Sequence, residues 1–390
     1  MKSKAAILRG VGQKWEIAEV DIHPPRAGEV LVKMAVAGIC HSDDHFATGD
    51  SVPSDDMVAM MKAAGMQVPE WFPMLGGHEG AGVVEDVGPE VNSLKPGDHV
   101  AVSFLPACGN CRWCASGSTF LCDVGADIYS KNMTTDHTPR RFLADEPLMA
   151  MMQVGTFSEY AVASERSLVK VHEWIPLEAA SLVSCGVTTG FGSGSVSAGT
   201  KPGDTVVVIG AGGIGMNAVQ GARAAGAKFV VAVDPIEFKR EAAPSFGATH
   251  TATDVGAAFE VVKEITWGAM ADAVILTAGV VHADLVPAAM MLTRKGGTCV
   301  LIGMTPISEM SVPLILADMV NSCKTLKGAL YGEMNPRASI PMLLSMYEAG
   351  TLKLDELITR RYKLDDINEA MKDMRDGRNI RGIIEFSEEI

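Results

Sequence analysis

Residues 206–215 read Val-Val-Val-Ile-Gly-Ala-Gly-Gly-Ile-Gly, and an alanine-rich stretch follows to Ala225. The continuous apolar run predicts a strand buried on both faces, and the stretch behind it predicts a helix. The turn between them has G-x-G-x-x-G spacing, with Gly210, Gly212 and Gly215 at the motif positions and Gly213 inside it. The first glycine permits a tight turn, the second lets backbone N–H groups approach a pyrophosphate, and the third allows close helix–strand packing. The helix N-terminus favours the anion. Asp234 ends the next apolar run about 20 residues on, where a carboxylate binds both adenosine ribose hydroxyls. That charge repels a 2′-phosphate, so the pattern predicts NAD in preference to NADP. Lys239, one helical turn later, also reaches toward the ribose. The bland alternative is a glycine-rich packing turn with a capping Asp.

The rest of the chain organises itself around this unit. Further apolar runs at Phe229–Val233, Ala273–Leu276 and Gly297–Ile302 alternate with helical stretches, one of them starting at Glu237. That alternation predicts a parallel sheet covered by helices. The first 40 residues instead alternate apolar and polar positions, as in Glu29-Val-Leu-Val-Lys-Met-Ala-Val, which predicts short antiparallel strands. Similar runs occur at Gly82–Val87, His99–Phe104 and Phe157–Val162, and an apolar strand closes the chain at Ile383–Phe386. A chain of 390 residues exceeds one ordinary core. We therefore expect an outer domain from residues 1–186 plus 329–390, with a dinucleotide-binding domain at 187–328 inserted in it.

With 47% hydrophobic and 21% charged residues, the chain has the profile of a globular enzyme rather than a disordered one. Its formal charge of -14 repels phosphate backbones and anionic lipid, so neither nucleic acid nor membrane is an expected partner. The N-terminus lacks the apolar stretch of a signal peptide, which predicts a cytoplasmic location. In a reducing compartment the eight cysteines are better read as metal ligands or packing residues than as disulfides.

Cys108, Cys111, Cys114 and Cys122 lie in one short stretch, Cys-Gly-Asn-Cys-Arg-Trp-Cys followed by a final cysteine. Four thiolates so spaced make a closed tetrahedral zinc site of structural type, the alternative being two disulfides. A second set is scattered: Cys40 in Cys-His-Ser-Asp43, His78 in Gly-His-Glu79, and Cys185 before the inserted domain. Two thiolates and an imidazole leave a fourth position open for water or substrate, as catalytic zinc requires. Taken singly, each is equally a buried small residue. Cys299 and Cys323 are read as packing residues.

Gly77-His-Glu-Gly-Ala-Gly82 with Val87-Gly88, the four-cysteine loop, the glycine turn and Gly377-Arg-Asn-Ile-Arg381-Gly together resemble the zinc-dependent medium-chain alcohol dehydrogenases, in the same order along the whole chain. The resemblance implies an α/β protein: a Rossmann doubly wound parallel sheet inserted in a mostly antiparallel β, GroES-like catalytic domain. It implies two zinc ions per chain, one catalytic at Cys40, His78 and Cys185 and one structural at the cysteine loop. It places His41 and Arg381 at the NAD pyrophosphate, Thr189 and Ile214 beside the nicotinamide, and Gly303 among the cofactor contacts. The expected reaction converts an alcohol to an aldehyde or ketone by hydride transfer to NAD, zinc serving as Lewis acid. Ser42 matches the hydroxyl that takes the alcohol proton, and His45 the group that passes it to water. Asp43 would fix the tautomer of His78, and Glu79 would act beside that ligand. A solvated surface histidine is the plain alternative for His45. A homo-oligomer formed by edge strands around Gly297–Ile315 is also implied.

The interval from Cys40 to His78 is longer than is usual in that family, the extra segment running from Asp50 to about Phe72. Met57, Met60 and Met61 form an i, i+3, i+4 stripe within it, consistent with a methionine lid over an apolar channel or with a helix packed on the outer domain. Met149, Met151 and Met152 offer the same choice between channel wall and core. This insertion, with Cys40-His-Ser-Asp, Asp234-Pro-Ile-Glu-Phe-Lys-Arg240 and Thr266-Trp-Gly, resembles the actinobacterial nicotinoprotein alcohol dehydrogenases assayed with a nitroso-aniline dye. There NAD stays bound, and an external redox carrier, plausibly mycofactocin, reoxidises it. The competing readings are a conventional exchangeable-NAD dehydrogenase, a thiol-adduct formaldehyde dehydrogenase, and a non-catalytic dinucleotide-binding redox sensor.

Overall fold

The structure, a computed structural model, describes residues 1–386. The chain forms two compact units, Met1–Cys185 with Asn335–Ile390, and Gly186–Met334. The second junction differs from the expected one after residue 328 because Tyr331–Glu333 turns back onto its own unit. There Gly332 packs so closely on Thr189 and Gly192 that neither glycine has room for a side chain.

In the first unit, a seven-stranded sheet is centred on Glu29–Gly38. Gly80–Val87 pairs antiparallel on one side, with Ala37 opposite Gly80. The late strand Arg381–Glu385 pairs antiparallel with the same central strand, placing Ile383 opposite Gly38. An early and a late segment thus share one sheet, and residues at three neighbouring strand termini (Cys40 after the central strand, His78 with Glu79 before Gly80–Val87, and Arg381 at the start of the late strand) meet at one corner. A second, six-stranded sheet includes Lys2–Leu8, Glu16–Ile22, Met74–Leu75 and Met149–Ala150. Met149 and Met151 are core, at 1% and 0% exposure, while Met152 packs at its margin. The fully buried pair Arg140–Glu29, Nε to Oε2 2.6 Å, ties residues 136–140 to the start of the central strand. Removing either partner strands a buried charge and costs about 3–5 kcal/mol.

The second unit has six parallel strands in the order His250–Ala252, Phe229–Val233, Thr205–Ile209, Ala271–Leu276, Thr293–Leu301 and Thr325–Gly328, which is doubly wound. The expected edge around Gly297–Ile315 is not an edge. Thr325–Gly328 pairs along Thr293–Leu301, Thr298 opposite Thr325, and satisfies that strand's outer hydrogen bonds. Residues 302–315 contain no strand, and Met310 and Ile315 there are largely exposed.

The inserted segment forms a helix, Asp55–Ala63, capped by Ser54, whose hydroxyl accepts from the Met57 N–H. None of its residues is buried, and Met60 is 65% exposed. Of the stripe, Met57 and Met61 are half-buried and Met60 alone is exposed. No helix among the described residues is long and apolar enough to cross a membrane.

Candidate active site

The corner at those three strand termini gathers Cys40, His78, Glu79 and Cys185, all buried, with one ligand atom of each within 4.8 Å of the others. Cys40 ends the central strand's run and opens the helix His41–Thr48. Cys185 follows the helix Leu177–Leu182, and its neighbour Ser184 fixes that end by accepting the Gly80 N–H at 3.1 Å. Asp43, fully buried, accepts the Gly77 N–H through Oδ1 at 2.7 Å and faces His78 Nδ1 through Oδ2 at 2.9 Å. That approach is an ion-pair contact rather than an aligned hydrogen bond, and His78 Nε2, on the other side of the ring, is buried with no hydrogen-bond partner. Phe104 closes one side of the imidazole, edge-on at 5.6 Å.

The electrostatics of this donor set call for a cation. The Cys185 thiol donates to Cys40, which holds Cys40 well below the usual thiol range and pushes Cys185 well above it. Burial alone would keep His78 neutral, but Asp43 and Cys40 outweigh it and raise its pKa well above the ordinary value. Burial pushes the Glu79 carboxyl up to about 8 despite Arg381, whose guanidinium is paired with Oε2. A divalent ion relieves such a cluster by letting both thiols ionise and giving Nε2 a partner. Glu79, expected only beside the ligands, is within the donor group itself. Arg381, expected at the coenzyme pyrophosphate, is buried against Glu79.

The four-cysteine loop brings Cys108, Cys111, Cys114 and Cys122 together within the same 4.8 Å limit. All eight cysteines are free thiols, which removes the disulfide reading. Backbone N–H groups of Cys111, Cys114 and Cys108 point at the sulfurs of Cys108, Cys111 and Cys122, each at 3.4 Å. The Cys114 N–H, with that of Asp123, lowers Cys111 to about 6, whereas burial and the neighbouring thiols push Cys114 up to about 12. Acids so crowded share one charge unless a cation takes all four, which suits zinc.

His45 is 2% exposed, not solvated, and its Nδ1 lies 3.1 Å from Asp50 Oδ2. The Cys40 Sγ approaches Ser42 Oγ at 3.7 Å, and the His41 and His45 rings are 6.2 Å apart. Sequence reasoning missed Asp50, Trp71 and Tyr129; the only signal was that the first two bound the insertion.

In the second unit, the helix Gly213–Ala224 starts at Gly212 with no side-chain cap, so its first N–H groups remain free for a pyrophosphate. Gly210 has φ 100°, and Gly215 lies directly against the Gly210 carbonyl. Asp234 accepts the Ala211 N–H at 2.8 Å and the Ile236 N–H at 2.9 Å. It does cap, yet each carboxylate oxygen keeps a lone pair for a ribose hydroxyl. Lys239 is half-buried, its pKa lowered by burial against the pull of Asp234. Thr189 is buried, Ile214 lies in the first turn of the glycine-turn helix, and the Gly303 N–H bonds the Leu276 carbonyl at 2.9 Å.

The chain is similar along its length to known proteins. Residues 26–173 match the alcohol dehydrogenase GroES-like domain and residues 213–349 the zinc-binding dehydrogenase domain. The chain is 48% identical to the NDMA-dependent alcohol dehydrogenase of Amycolatopsis methanolica, over 99% of its own length and 100% of that protein. It is 46% identical to putative alcohol dehydrogenase D of Mycobacterium tuberculosis, over 98% and 100%. Among solved structures, an alcohol dehydrogenase zinc-binding domain protein from Burkholderia ambifaria superposes with a TM-score of 0.87 at 29% identity, covering 99% of each chain. The chain belongs to the zinc-dependent medium-chain alcohol dehydrogenase family. As a member it is an NAD-linked oxidoreductase with zinc as its metal.

Proposed function

We propose that the chain oxidises an alcohol at the Cys40–His78–Cys185 corner, with NAD held as a resident group and reoxidised by an external carrier. The unpartnered Nε2 of His78, buried within 4.8 Å of two thiols and a carboxylate, is the observation that carries the reading. The NDMA dependence in the name of the 48%-identical relative supports retained NAD over an exchangeable cofactor.

When bound there, zinc supplies Lewis acidity toward the alcohol oxygen. The chain's own residues do the rest. Asp43 orients His78, and Cys40 and Cys185 hold the metal with it. Glu79 waits in the same donor group, restrained by Arg381. Ser42 takes the alcohol proton, and His45 hands it to water with Asp50 holding its Nδ1. Cys108, Cys111, Cys114 and Cys122 hold the second zinc. Gly210, Gly212, Gly213 and Gly215 present backbone to the NAD pyrophosphate, and Asp234 binds the ribose. His41, Thr189, Ile214, Lys239, Gly303 and Arg381 complete the cofactor contacts.

A carrier such as mycofactocin, a cytoplasmic location and a homo-oligomer belong to the same reading. The exposed apolar residues Met310, Ile315, Leu316 and Val320 support the oligomer.

Denaturing the purified protein and assaying released nicotinamide cofactor and zinc together tests the proposal. About one NAD(H) and two zinc ions per chain, with turnover on a nitroso-aniline acceptor but little on free NAD, is the expected result. Cofactor-free protein with vigorous turnover on added NAD overturns it.

A further inference from the structure

The insertion's far end builds a second feature in the first unit. Trp71, near the end of the segment, packs into a cluster with Phe46 and Tyr129, tilted or edge-on, at centroid distances of 5.4, 5.2 and 5.9 Å for Phe46–Trp71, Trp71–Tyr129 and Phe46–Tyr129. Phe46 stands on the helix His41–Thr48, one turn beyond Ser42 and Asp43 and on their face of it. The cluster is therefore seated on the element that carries the proton acceptor and orients the metal ligand. Tyr129 feels that closeness. Burial, with Asp43 adding to it, pushes its phenol up to about 12.

Two further observations ask for a ligand. The Trp71 indole N–H is buried and has no hydrogen-bond partner. A buried donor left unmade costs about 1–3 kcal/mol, so an acceptor is expected there. Tyr129 also lines a cavity of about 530 Å³, shared with residues 67–70 of the insertion, Met133 and Met149; Tyr129 and the chain neighbour Glu70, not Trp71 itself, join the cluster to it. That volume suits an organic group of ligand size, against roughly 30 Å³ for a water molecule. Its lining is mixed. Tyr129, Met133 and Met149 offer apolar surface, while Ser130, Asn132 and the Lys131–Glu70 pair (2.7 Å) surround it with polar groups.

We propose that the Phe46–Trp71–Tyr129 cluster and this cavity form a tail pocket of the alcohol site. It would select extended aromatic alcohols in which a hydrogen-bond acceptor takes the Trp71 N–H and a terminal ring lies against Tyr129 and Met133. The inference rests on the alcohol-oxidising reading above. The insertion then acts in specificity, through Trp71 and residues 67–70.

The test uses holoenzyme, ethanol, and 4-benzyloxybenzyl alcohol, which carries an ether oxygen and a terminal ring. Trp71→Phe keeps the ring and deletes the donor; Val68→Trp fills the cavity from a partly exposed loop position. Each variant should raise KM for the long alcohol about tenfold, the value of one lost buried hydrogen bond of about 1.4 kcal/mol. For ethanol KM should stay within about twofold, with kcat little changed for both. In ¹⁵N-labelled protein, the indole signal that disappears in Trp71→Phe should move on adding the long alcohol and not on adding ethanol. Equal effects on both alcohols, no effect on either, or an unmoved indole signal overturns the pocket. If wild type oxidises neither alcohol, the proposed function fails instead, and the indole titration still decides whether the pocket binds.

Discussion

Replacing Asp43 with Asn isolates what that carboxylate does for the metal corner. The side chain is fully buried and serves two groups at once, the Gly77 N–H through Oδ1 and His78 Nδ1 through Oδ2. An aspartate offers acceptors to both. An asparagine offers one acceptor and one donor, so whichever way the amide turns, one partner is lost. With the NH₂ toward His78, the ring must accept at Nδ1, which moves the proton to Nε2 and removes the lone pair that faces Cys40 and Cys185. With the amide turned the other way, the Gly77 N–H is stranded without water, costing about 1–3 kcal/mol of stability.

Loss of a partner behind a ligating histidine typically weakens metal binding 10- to 100-fold, or about 1.4–2.8 kcal/mol. The expected outcome for Asp43→Asn is therefore zinc loss at the catalytic corner to a chelator that leaves wild type loaded. The cysteine-loop zinc should be retained, so metal content should fall from about two toward one per chain. Wild-type retention with an unchanged melting temperature would refute the claim that Asp43 sets the ring.

Asp234→Ala should abolish retention of the nicotinamide cofactor without creating acceptance of the 2′-phosphorylated form, because the same carboxylate ties down the Ala211 and Ile236 N–H groups of the turn; cofactor released on denaturation and NADP binding report it. Burial raises the Asp136 carboxyl, but hydrogen bonds from Thr138 and Arg140 outweigh that and hold it below its ordinary value. A depressed carboxylate stabilises the fold above its unfolded pKa of about 3.9 and loses that contribution as pH falls toward the folded value. Asp136→Asn should thus lower the denaturant midpoint at pH 7, and the gap to wild type should narrow below about pH 4; a gap constant with pH would contradict this. Met60→Ser, at a position 65% exposed, should change stability by less than about 0.5 kcal/mol; a loss of several kcal/mol in chemical denaturation would mean that this side chain is docked.

Features written in contiguous residues were legible in the sequence. The glycine turn declares itself because strand, turn and helix are consecutive, and the cysteine loop because its ligands lie in one stretch. The corner of Cys40, His78 and Cys185 was legible only through the family resemblance, since strand pairing, not spacing, brings those residues together. Glu79 follows a ligand in sequence, which says nothing of where its carboxylate points; pairing of Ala37 with Gly80 turns it inward beside Arg381. The sheet edge was misplaced for a physical reason. Thr325-Leu-Lys-Gly has one large apolar side chain and lies at an exposed margin, so it carries no hydrophobic pattern.

The insertion shows where periodicity misleads. Apolar spacing reports which face of a helix could be buried, not how far it is, and in the Met57–Met60–Met61 stripe two side chains are half-buried while Met60 is exposed. Its chemistry sits at the two ends, where it rejoins the scaffold. Asp50 meets the buried His45, and Trp71 brings an unpartnered N–H into the cluster on the helix of Ser42 and Asp43. A segment joined at both ends to one catalytic element can alter proton exit and substrate fit together. Neither junction depends on the exposed helix between them, so the roles of the insertion are to be sought at its ends.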